Sequence, residues 1–245
     1  MNILYPVVLG IVQGLTEFLP VSSSGHLVLV QSILPGFEQP GVLLDVILHV
    51  GTMAAVLVYF RYEILRMSIA DIKYLVVGSI PAVIIGLLFQ NVIEDLFLST
   101  TVVGVALLVT AAMNFFTDRA SARREKMNFV DATVIGLGQA FAIIPGISRS
   151  GSTIFAGTSM GVDRAKAAQF SFLLSVPAIL GAAVLQLVSH ESINTLPISA
   201  YIVGFIMAFV TGLLAIMIVF RLLSEKKFTY FAIYCVIVGT IALVF

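Results

Sequence analysis

The chain has 245 residues, of which 60% are hydrophobic and 11% are charged, and its mean hydropathy is +1.10. An ordinary soluble domain has about 25% charged residues, so this composition excludes that class and predicts an all-α polytopic membrane protein. Thirteen basic and thirteen acidic residues cancel, and no nucleic-acid partner is expected. The single cysteine excludes an internal disulfide. We predict a single integral-membrane domain over residues 1–245.

Six apolar stretches are long enough to cross a bilayer, which takes about 20 residues. Two further pairs of stretches are interrupted by Pro, Gly and Ser, and the second member of each pair is too short to cross. We interpret each pair as a re-entrant helical hairpin, because irregular backbone at this depth must be covered by protein or a watery cavity. The ten predicted helical elements are about 2–20 and 21–34 (first hairpin), 44–60, 74–90 and 98–117 (spans), 129–145 and 147–160 (second hairpin), and 168–189, 199–220 and 228–245 (spans).

The halves about 1–118 and 127–245 match each other at one constant offset of 126 residues. Each half contains one hairpin and three spans, and because three is odd, the second half must enter the membrane inverted. Inverted repeats with broken helices are typical of transporters, whose site lies at the repeat interface. The identical aligned pairs include Gly10 and Gly136, Gln13 and Gln139, Ser22 and Ser148, Ser24 and Ser150, Gly25 and Gly151, Val50 and Val176, Gly78 and Gly204, and Gly86 and Gly212.

The loop charges predict the orientation. With two hairpins and six spans, all basic loops fall on one face and all loops with only acidic charges fall on the other. The positive-inside rule makes the basic face cytoplasmic, which puts both termini and the acidic loops outside a cell (plasma) membrane. The basic loops are 61–73, 117–128, 161–167 and 221–227, and the acidic loops are 35–43, 90–98 and 189–198.

Arg149 is the one basic residue outside these loops, in the apolar and glycine-rich run 143–151. A cation at membrane depth costs roughly 2.5–3.5 kcal/mol on insertion scales, so it indicates a functional site and requires an anionic partner. Glu17, in the first hairpin, is the candidate partner. A purely structural ion pair is the alternative.

Two Ser/Gly-rich breaks lie at these charges: the first break, 22–26, follows Glu17, and the second break, 148–152, contains Arg149. Gln13 and Glu17 are four residues apart and share a helix face, and the run 22–26 follows them. A Ser/Gly break at a helix start offers backbone N–H groups and hydroxyls to an anion such as phosphate, and arginine binds phosphate bidentately. Single serines and His26 could instead serve the helix structure. The predicted phosphate-binding residues are Gln13, Ser22, Ser24, Gly25, Ser148, Ser150 and Gly151.

Asp45 and His49, four residues apart in the third stretch, are interpreted as structural. The alternative is that they support the site residues from behind or line the site entrance.

The segments 14–26 and 145–151 closely resemble the two signature motifs of the undecaprenyl-diphosphate phosphatase family, the bacitracin-resistance protein type. The resemblance covers essentially the whole chain, including the run 170–178. It implies hydrolysis of undecaprenyl diphosphate to the monophosphate, which recycles the lipid carrier for cell-wall glycan synthesis. It also implies six spans with two re-entrant hairpins, a site open to the outer face, and a divalent cation, Mg²⁺ or Ca²⁺.

The resemblance implies four catalytic residues. Glu17 matches the second acid of the Glu/Gln-x-x-x-Glu motif and is a candidate metal ligand or base. Ser23 matches the proposed nucleophile or phosphate ligand, His26 the motif histidine, and Arg149 the arginine of the second motif. Gln13 stands in place of the first acid and brings no negative charge. Whether Glu17 or His26 is the base stays open.

A polyprenyl-phosphate flippase or an anion transporter is the alternative function, since inverted repeats favour it on architecture alone. Glu17 and His26 beside Ser23 favour hydrolysis, because a carrier needs no acid/base group. The expected partners are the bilayer and a polyprenyl diphosphate lipid, and a homodimer stays open.

Overall fold

A computed structural model describes residues 3–34, 43–97, 99–121, 123–188 and 196–244. Over these residues the regular structure is helical, apart from one isolated bridge between Arg124 and Val162. The described helices are α1 (Leu4–Phe18), α2 (Ser23–Ile33), α3 (Leu43–Tyr59), α4 (Arg61–Leu65), α5 (Ile69–Leu88), α6 (Gln90–Phe97), α7 (Thr100–Thr117), α8 (Phe129–Phe141), α9 (Arg149–Ser159), α10 (Arg164–Val188), α11 (Ile198–Ser224) and α12 (Thr229–Val244).

Each of the ten predicted stretches corresponds to one helix of at least 11 residues, with ends that differ by a few residues. The prediction missed two short helices, α4 and α6. By length and composition, α5, α7, α10 and α11 are able to cross a membrane, so the chain is a helical membrane protein. The predicted spans at α3 and α12 form shorter helices of 17 and 16 residues.

The start of α5 shows why hydropathy misplaces helix ends. The Ser68 hydroxyl accepts a hydrogen bond from the Asp71 N–H at 3.2 Å, and the Asp71 carboxylate accepts one from the Ser68 N–H at 2.9 Å. This capping box satisfies free N–H groups of the first turn. The helix therefore begins at Ile69, five residues before the predicted apolar stretch, because its first turn is polar.

The two predicted hairpins contain the shortest predicted elements. Helices α2 and α9 have 11 residues each, or about 16 Å, which is half the thickness of a hydrocarbon core. Their bounds differ by 126 residues at both ends. Ser22 and Ser148 are their N-caps, and each side chain accepts the N–H of the glycine three residues ahead.

Helix packing follows the same offset. Helix α1 packs on α11, and its counterpart α8 packs on α5, the counterpart of α11. Helix α7 packs on its own counterpart, α12. The largest apolar cluster includes Phe18 and Phe172, whose rings meet edge to face at 5.2 Å.

Glycine pairs bring the backbones of these helices close together. A Cβ added at Gly10 would lie 2.7 Å from the Gly204 carbonyl oxygen, and one added at Gly136 would collide with the Gly78 carbonyl. The two pairs are related by the 126-residue offset. Because lipid tails are as apolar as leucine, close backbone packing at small residues is what holds membrane helices together.

We expect Gly136→Ala to destabilise the protein, because the added methyl overlaps the Gly78 carbonyl. The overpacking should cost about 1–3 kcal/mol and lower the thermal unfolding midpoint in detergent. Gly181→Ala in α10 is the matched control, since an added Cβ there meets nothing within 4 Å. Equal midpoints for the two variants would contradict tight packing of α5 on α8.

Candidate functional site

A buried ion pair joins the two interrupted helix pairs. The Arg149 Nη2 donates to Glu17 Oε1 at 2.8 Å, and the two side chains are only 16% and 5% exposed. Arg149 Nη1 also donates to the carbonyl oxygen of Ser171 in α10 at 3.2 Å. The end of α1 is therefore tied to the start of α9, and the pair predicted from two isolated charges is in contact.

Ser23 and Gln13 share the second oxygen of the same carboxylate. The Ser23 hydroxyl donates to Glu17 Oε2 at 2.5 Å, and Gln13 Nε2 donates to that oxygen at 3.0 Å. A bond this short is typical of a hydroxyl held by an ionised carboxylate. Glu17 is thus placed to take the Ser23 proton.

His49 of α3, which the sequence analysis interpreted as structural, also lies close to Glu17. Its Nε2 lies 4.0 Å from Glu17 Oε2, and its side chain is 33% exposed. Its Nδ1 donates to the Asp45 carbonyl oxygen at 2.8 Å, since a carbonyl only accepts. In the sequence, the four-residue spacing places Asp45 and His49 on one helix face. It does not show that this face lies toward Glu17.

The turn before α2 explains how Ser23 is presented. Ser22 adopts a left-handed conformation with φ of 70°, which a non-glycine residue rarely takes, and its hydroxyl caps the Gly25 N–H at 3.3 Å. This turn ends α1 and starts α2 within a few residues. Ser23 is the first residue of α2 and its hydroxyl reaches back to Glu17.

Several residues predicted to bind phosphate support the turns in this structure. Ser148 caps the Gly151 N–H at 3.1 Å and contacts the Ser150 hydroxyl at 3.2 Å. Ser150 also donates to the Leu19 carbonyl at 3.2 Å, which links the second break to the first. Ser24 and Ser22 form the equivalent contact at 3.3 Å. Their phosphate contacts stay a prediction.

His26 is held by partners outside the Glu17 cluster. Its Nδ1 donates to the Ser22 carbonyl oxygen at 2.8 Å, and its Nε2 lies 2.8 Å from the Tyr234 hydroxyl. In the neutral ring Nε2 therefore accepts from Tyr234, whose ring stacks on His26 at 5.5 Å. Of the two candidate bases, the one that holds the Ser23 hydroxyl is Glu17.

Two buried glutamines have side-chain atoms without a protein partner among the described residues. These are Gln13 Oε1 and both amide atoms of Gln139. A buried amide left without a partner costs about 1–3 kcal/mol, so it calls for a water, an ion or a ligand. The two residues occupy equivalent positions at the 126-residue offset and mark where a bound group could meet the protein.

Together these features define a helical membrane protein in which a buried carboxylate, a guanidinium and a serine hydroxyl meet between two interrupted helix pairs. Residues 6–241 match the family described as bacitracin resistance protein BacA, and the chain belongs to this family. The resemblance inferred from the two sequence motifs is thereby confirmed.

Similar proteins extend over nearly the whole chain. An undecaprenyl-diphosphatase of Syntrophotalea carbinolica is 41% identical, covering 98% of this chain and 97% of that protein. One of Methanosphaera stadtmanae is 38% identical, and one of Desulforudis audaxviator is 42% identical. Each of these two matches covers 100% of this chain and 98% of the other protein.

Proposed function

We propose that the chain is an integral-membrane phosphatase that hydrolyses undecaprenyl diphosphate, or a related polyprenyl diphosphate, to the monophosphate and inorganic phosphate. The observation that carries this proposal is the Ser23 hydroxyl, 2.5 Å from Glu17 Oε2 on a carboxylate that also pairs with Arg149. Its relatives named undecaprenyl-diphosphatase support the substrate class. Recycling of the lipid carrier for cell-wall glycan synthesis and resistance to bacitracin follow from this activity.

Arg149 binds and orients the diphosphate. A guanidinium has five N–H donors, and among the described residues Arg149 donates to Glu17 and Ser171. Its other donors are proposed to meet phosphate oxygens. Phosphoryl transfer depends mostly on positioning and charge stabilisation rather than on covalent chemistry by the protein. A fixed cation in a water-poor site is therefore the largest expected contribution to the rate.

Ser23 is the proposed nucleophile and Glu17 its base. Ser23 Oγ forms a bond to the terminal phosphorus while the bridging P–O bond breaks, and the lipid monophosphate leaves as an anion. Glu17 takes the hydroxyl proton in this step. Water then attacks the phosphoserine while Glu17 returns its proton to Ser23 Oγ, which releases inorganic phosphate and restores both the Ser23 hydroxyl and the Glu17 carboxylate.

A divalent cation, Mg²⁺ or Ca²⁺, fits this site in part. The described residues contain no cluster of three or more His, Cys, Asp or Glu side chains that would hold a metal by themselves. Mg²⁺, however, is commonly bound by one or two carboxylates together with substrate phosphates. Gln13 Oε1, which has no partner within the described part of the chain, would hold the ion, and Glu17 would join it if it served as a metal ligand instead of as the base. The ion would neutralise charge on the diphosphate.

The membrane arrangement is proposed as six spans and two re-entrant hairpins in inverted repeats over about 1–118 and 127–245. The equal offset of α2 and α9 supports the repeat. The repeat is also supported by the packing of each half's first helix on a helix of the other half, α1 on α11 and α8 on α5. In this arrangement α3 and α12 complete the set of spans, and the two hairpin turns meet at the ion pair.

The flippase or anion carrier is the competing function. It is favoured by the packing of helices of one half against helices of the other, as in inverted-repeat transporters. A carrier would bind the lipid diphosphate at the same cations and hydroxyls. It would have no use for a carboxylate that holds a serine hydroxyl at 2.5 Å, and this contact favours hydrolysis.

The purified protein is expected to release phosphate from a C55 or C15 polyprenyl diphosphate in detergent, with Mg²⁺ or Ca²⁺ supporting turnover and EDTA abolishing it. Arg149→Lys should lower kcat/KM by about 100-fold, because lysine lacks the planar fork that binds two oxygens. Arg119→Lys is the control, since Arg119 is exposed and its guanidinium contacts the carbonyl and the ring of Phe115, one turn back on α7.

Two results would decide against the proposal. Binding of the lipid diphosphate without turnover by the wild-type protein would favour the carrier. Near-normal turnover by Arg149→Lys would exclude a bidentate role for Arg149.

Ser23→Ala should reduce phosphate release by at least about 1,000-fold, because the nucleophile is lost. A rapid quench with a substrate labelled in its terminal phosphate should trap phosphoserine in the wild type and none in the variant. Ser32→Ala on the same helix should behave as wild type, since Ser32 donates to the Leu29 carbonyl of its own helix. Activity of Ser23→Ala within tenfold of wild type would rule out covalent catalysis.

The proposed orientation places the loop between α7 and α8 in the cytoplasm and α6 outside. Exposed residues are available on both, at Ser121 and Asn91. A membrane-impermeant maleimide should label Asn91→Cys in intact cells and label Ser121→Cys only after lysis. The native Cys235 is buried, so the parent protein should stay unlabelled, and the reverse pattern would invert the topology.

A further inference from the structure

Two polar residues one helical turn apart on α7 hold the two helix breaks. Thr110 Oγ1 donates to the Gly146 carbonyl at 2.9 Å and accepts the Ser148 N–H at 3.0 Å. Asn114 Nδ2 donates to the Pro20 carbonyl at 2.6 Å. Thr110 and Asn114 are fully buried, and we refer to them together as the α7 bridge.

The two carbonyl groups in these contacts are equivalent. Pro20 and Gly146 are 126 residues apart, which is the offset that relates the two halves of the chain. One carbonyl precedes Ser23 by three residues and the other precedes Arg149 by three residues. A single helix face therefore fixes both breaks at the same position relative to the residues proposed to act on the substrate.

The surroundings of the α7 bridge leave little room for either break to move. A Cβ added at Gly146 would lie 2.6 Å from the Val103 carbonyl of α7, and Gly146 has a left-handed φ of 94° that favours glycine. A Cβ added at Gly25 would lie 3.1 Å from the Gly146 Cα. The second break is thus packed between α7 and the start of α2.

Asn114 touches the second break as well as the first. Its Oδ1 has no hydrogen-bond donor among the described residues and would lie 3.3 Å from a Cβ added at Gly151. The same side chain therefore lies between the Pro20 carbonyl and the first turn of α9. The Pro20 carbonyl also accepts from the Cys235 thiol at 3.8 Å, which is a weak donor.

We propose that Thr110 and Asn114 are positioning residues for the reaction, which set the separation between Ser23 with Glu17 on one break and Arg149 on the other. This inference rests on the proposed function for its catalytic consequence. It assigns a separate task to each residue. Thr110 fixes the break that carries Arg149, and Asn114 fixes the break that carries Ser23.

The separate tasks predict different kinetic effects. Thr110→Val removes the hydroxyl at nearly constant shape, so Arg149 loses its fixed position. KM should therefore rise and kcat should fall. Asn114→Leu loosens the break that presents the nucleophile, so kcat should fall at a nearly unchanged KM. Each variant should lose about 10- to 100-fold in kcat/KM, the scale expected for a displacement of about 1 Å at a reacting group.

Two controls on α7 distinguish positioning from a general loss of stability. Thr110→Ser keeps the hydroxyl and should stay within about threefold of wild type. Thr117→Val removes a hydroxyl that is equally buried but bonds only the Met113 carbonyl of its own helix, and it should stay within about twofold. If Thr110→Val does not fold, Thr110→Ala tests the same loss.

Amide hydrogen exchange in the detergent-solubilised protein tests the α7 bridge without reference to activity. Thr110→Val should speed exchange over residues 143–152, where the Ser148 N–H loses its acceptor, and leave 19–25 unchanged. Asn114→Leu should speed exchange over 19–25 more than over 143–152, because Asn114 donates to the first break and only packs against the second. Thr117→Val should change neither segment.

The results separate the two proposals. Unchanged exchange in both variants, or faster exchange with turnover equal to Thr117→Val, would overturn the positioning role. A wild-type protein that shows the expected exchange pattern in its variants but no turnover would overturn the phosphatase and leave the structural part of the inference intact.

Discussion

Burial of opposite charges at the ends of two different helix pairs is the constraint on which the rest of this structure depends. An isolated buried charge is strongly destabilising, whereas a paired and hydrogen-bonded one is tolerated. Glu17 meets four groups: Arg149, Ser23, Gln13 and, at 4.0 Å, His49. Arg149 of α9 neutralises the carboxylate, and its other neighbours come from α1, α2 and α3, so its surroundings depend on the packing of all four helices.

The serine-rich break shows how adjacent residues acquire different tasks. Ser22 is the helix cap and takes the left-handed conformation, while Ser23 begins the helix and reaches back to Glu17. His26 then bonds the Ser22 carbonyl, and Tyr234 holds the far side of its ring. The motif histidine thus bonds the turn, whereas the Glu17 carboxylate holds the Ser23 hydroxyl. The role of Glu17 as the base stays a proposal.

Close contacts between the helices occur at glycines. Gly10 and Gly136 lie against the carbonyls of Gly204 and Gly78, so the backbones approach more closely than any side chain would allow. Much of the exposed surface is isoleucine, leucine, valine and phenylalanine, which suits contact with lipid. Polar bonds such as the Asn114 contact with Pro20 then fix which turn lies against which helix.

The sequence by itself determined the helical membrane class, the family and the pair Glu17 and Arg149, because apolar runs, two motifs and one cation outside the loops are local signals. It placed His49 near the site only as an alternative to a structural role, and it did not reveal Thr110, Asn114 or Tyr234 as neighbours of the site, nor the helices α4 and α6. Hydropathy reports how apolar a segment is, but it does not report which residues of other helices that segment contacts. Asn114 meets Pro20 across 94 residues and His26 meets Tyr234 across 208. Only tertiary packing decides such contacts, because they depend on the direction of each helix face.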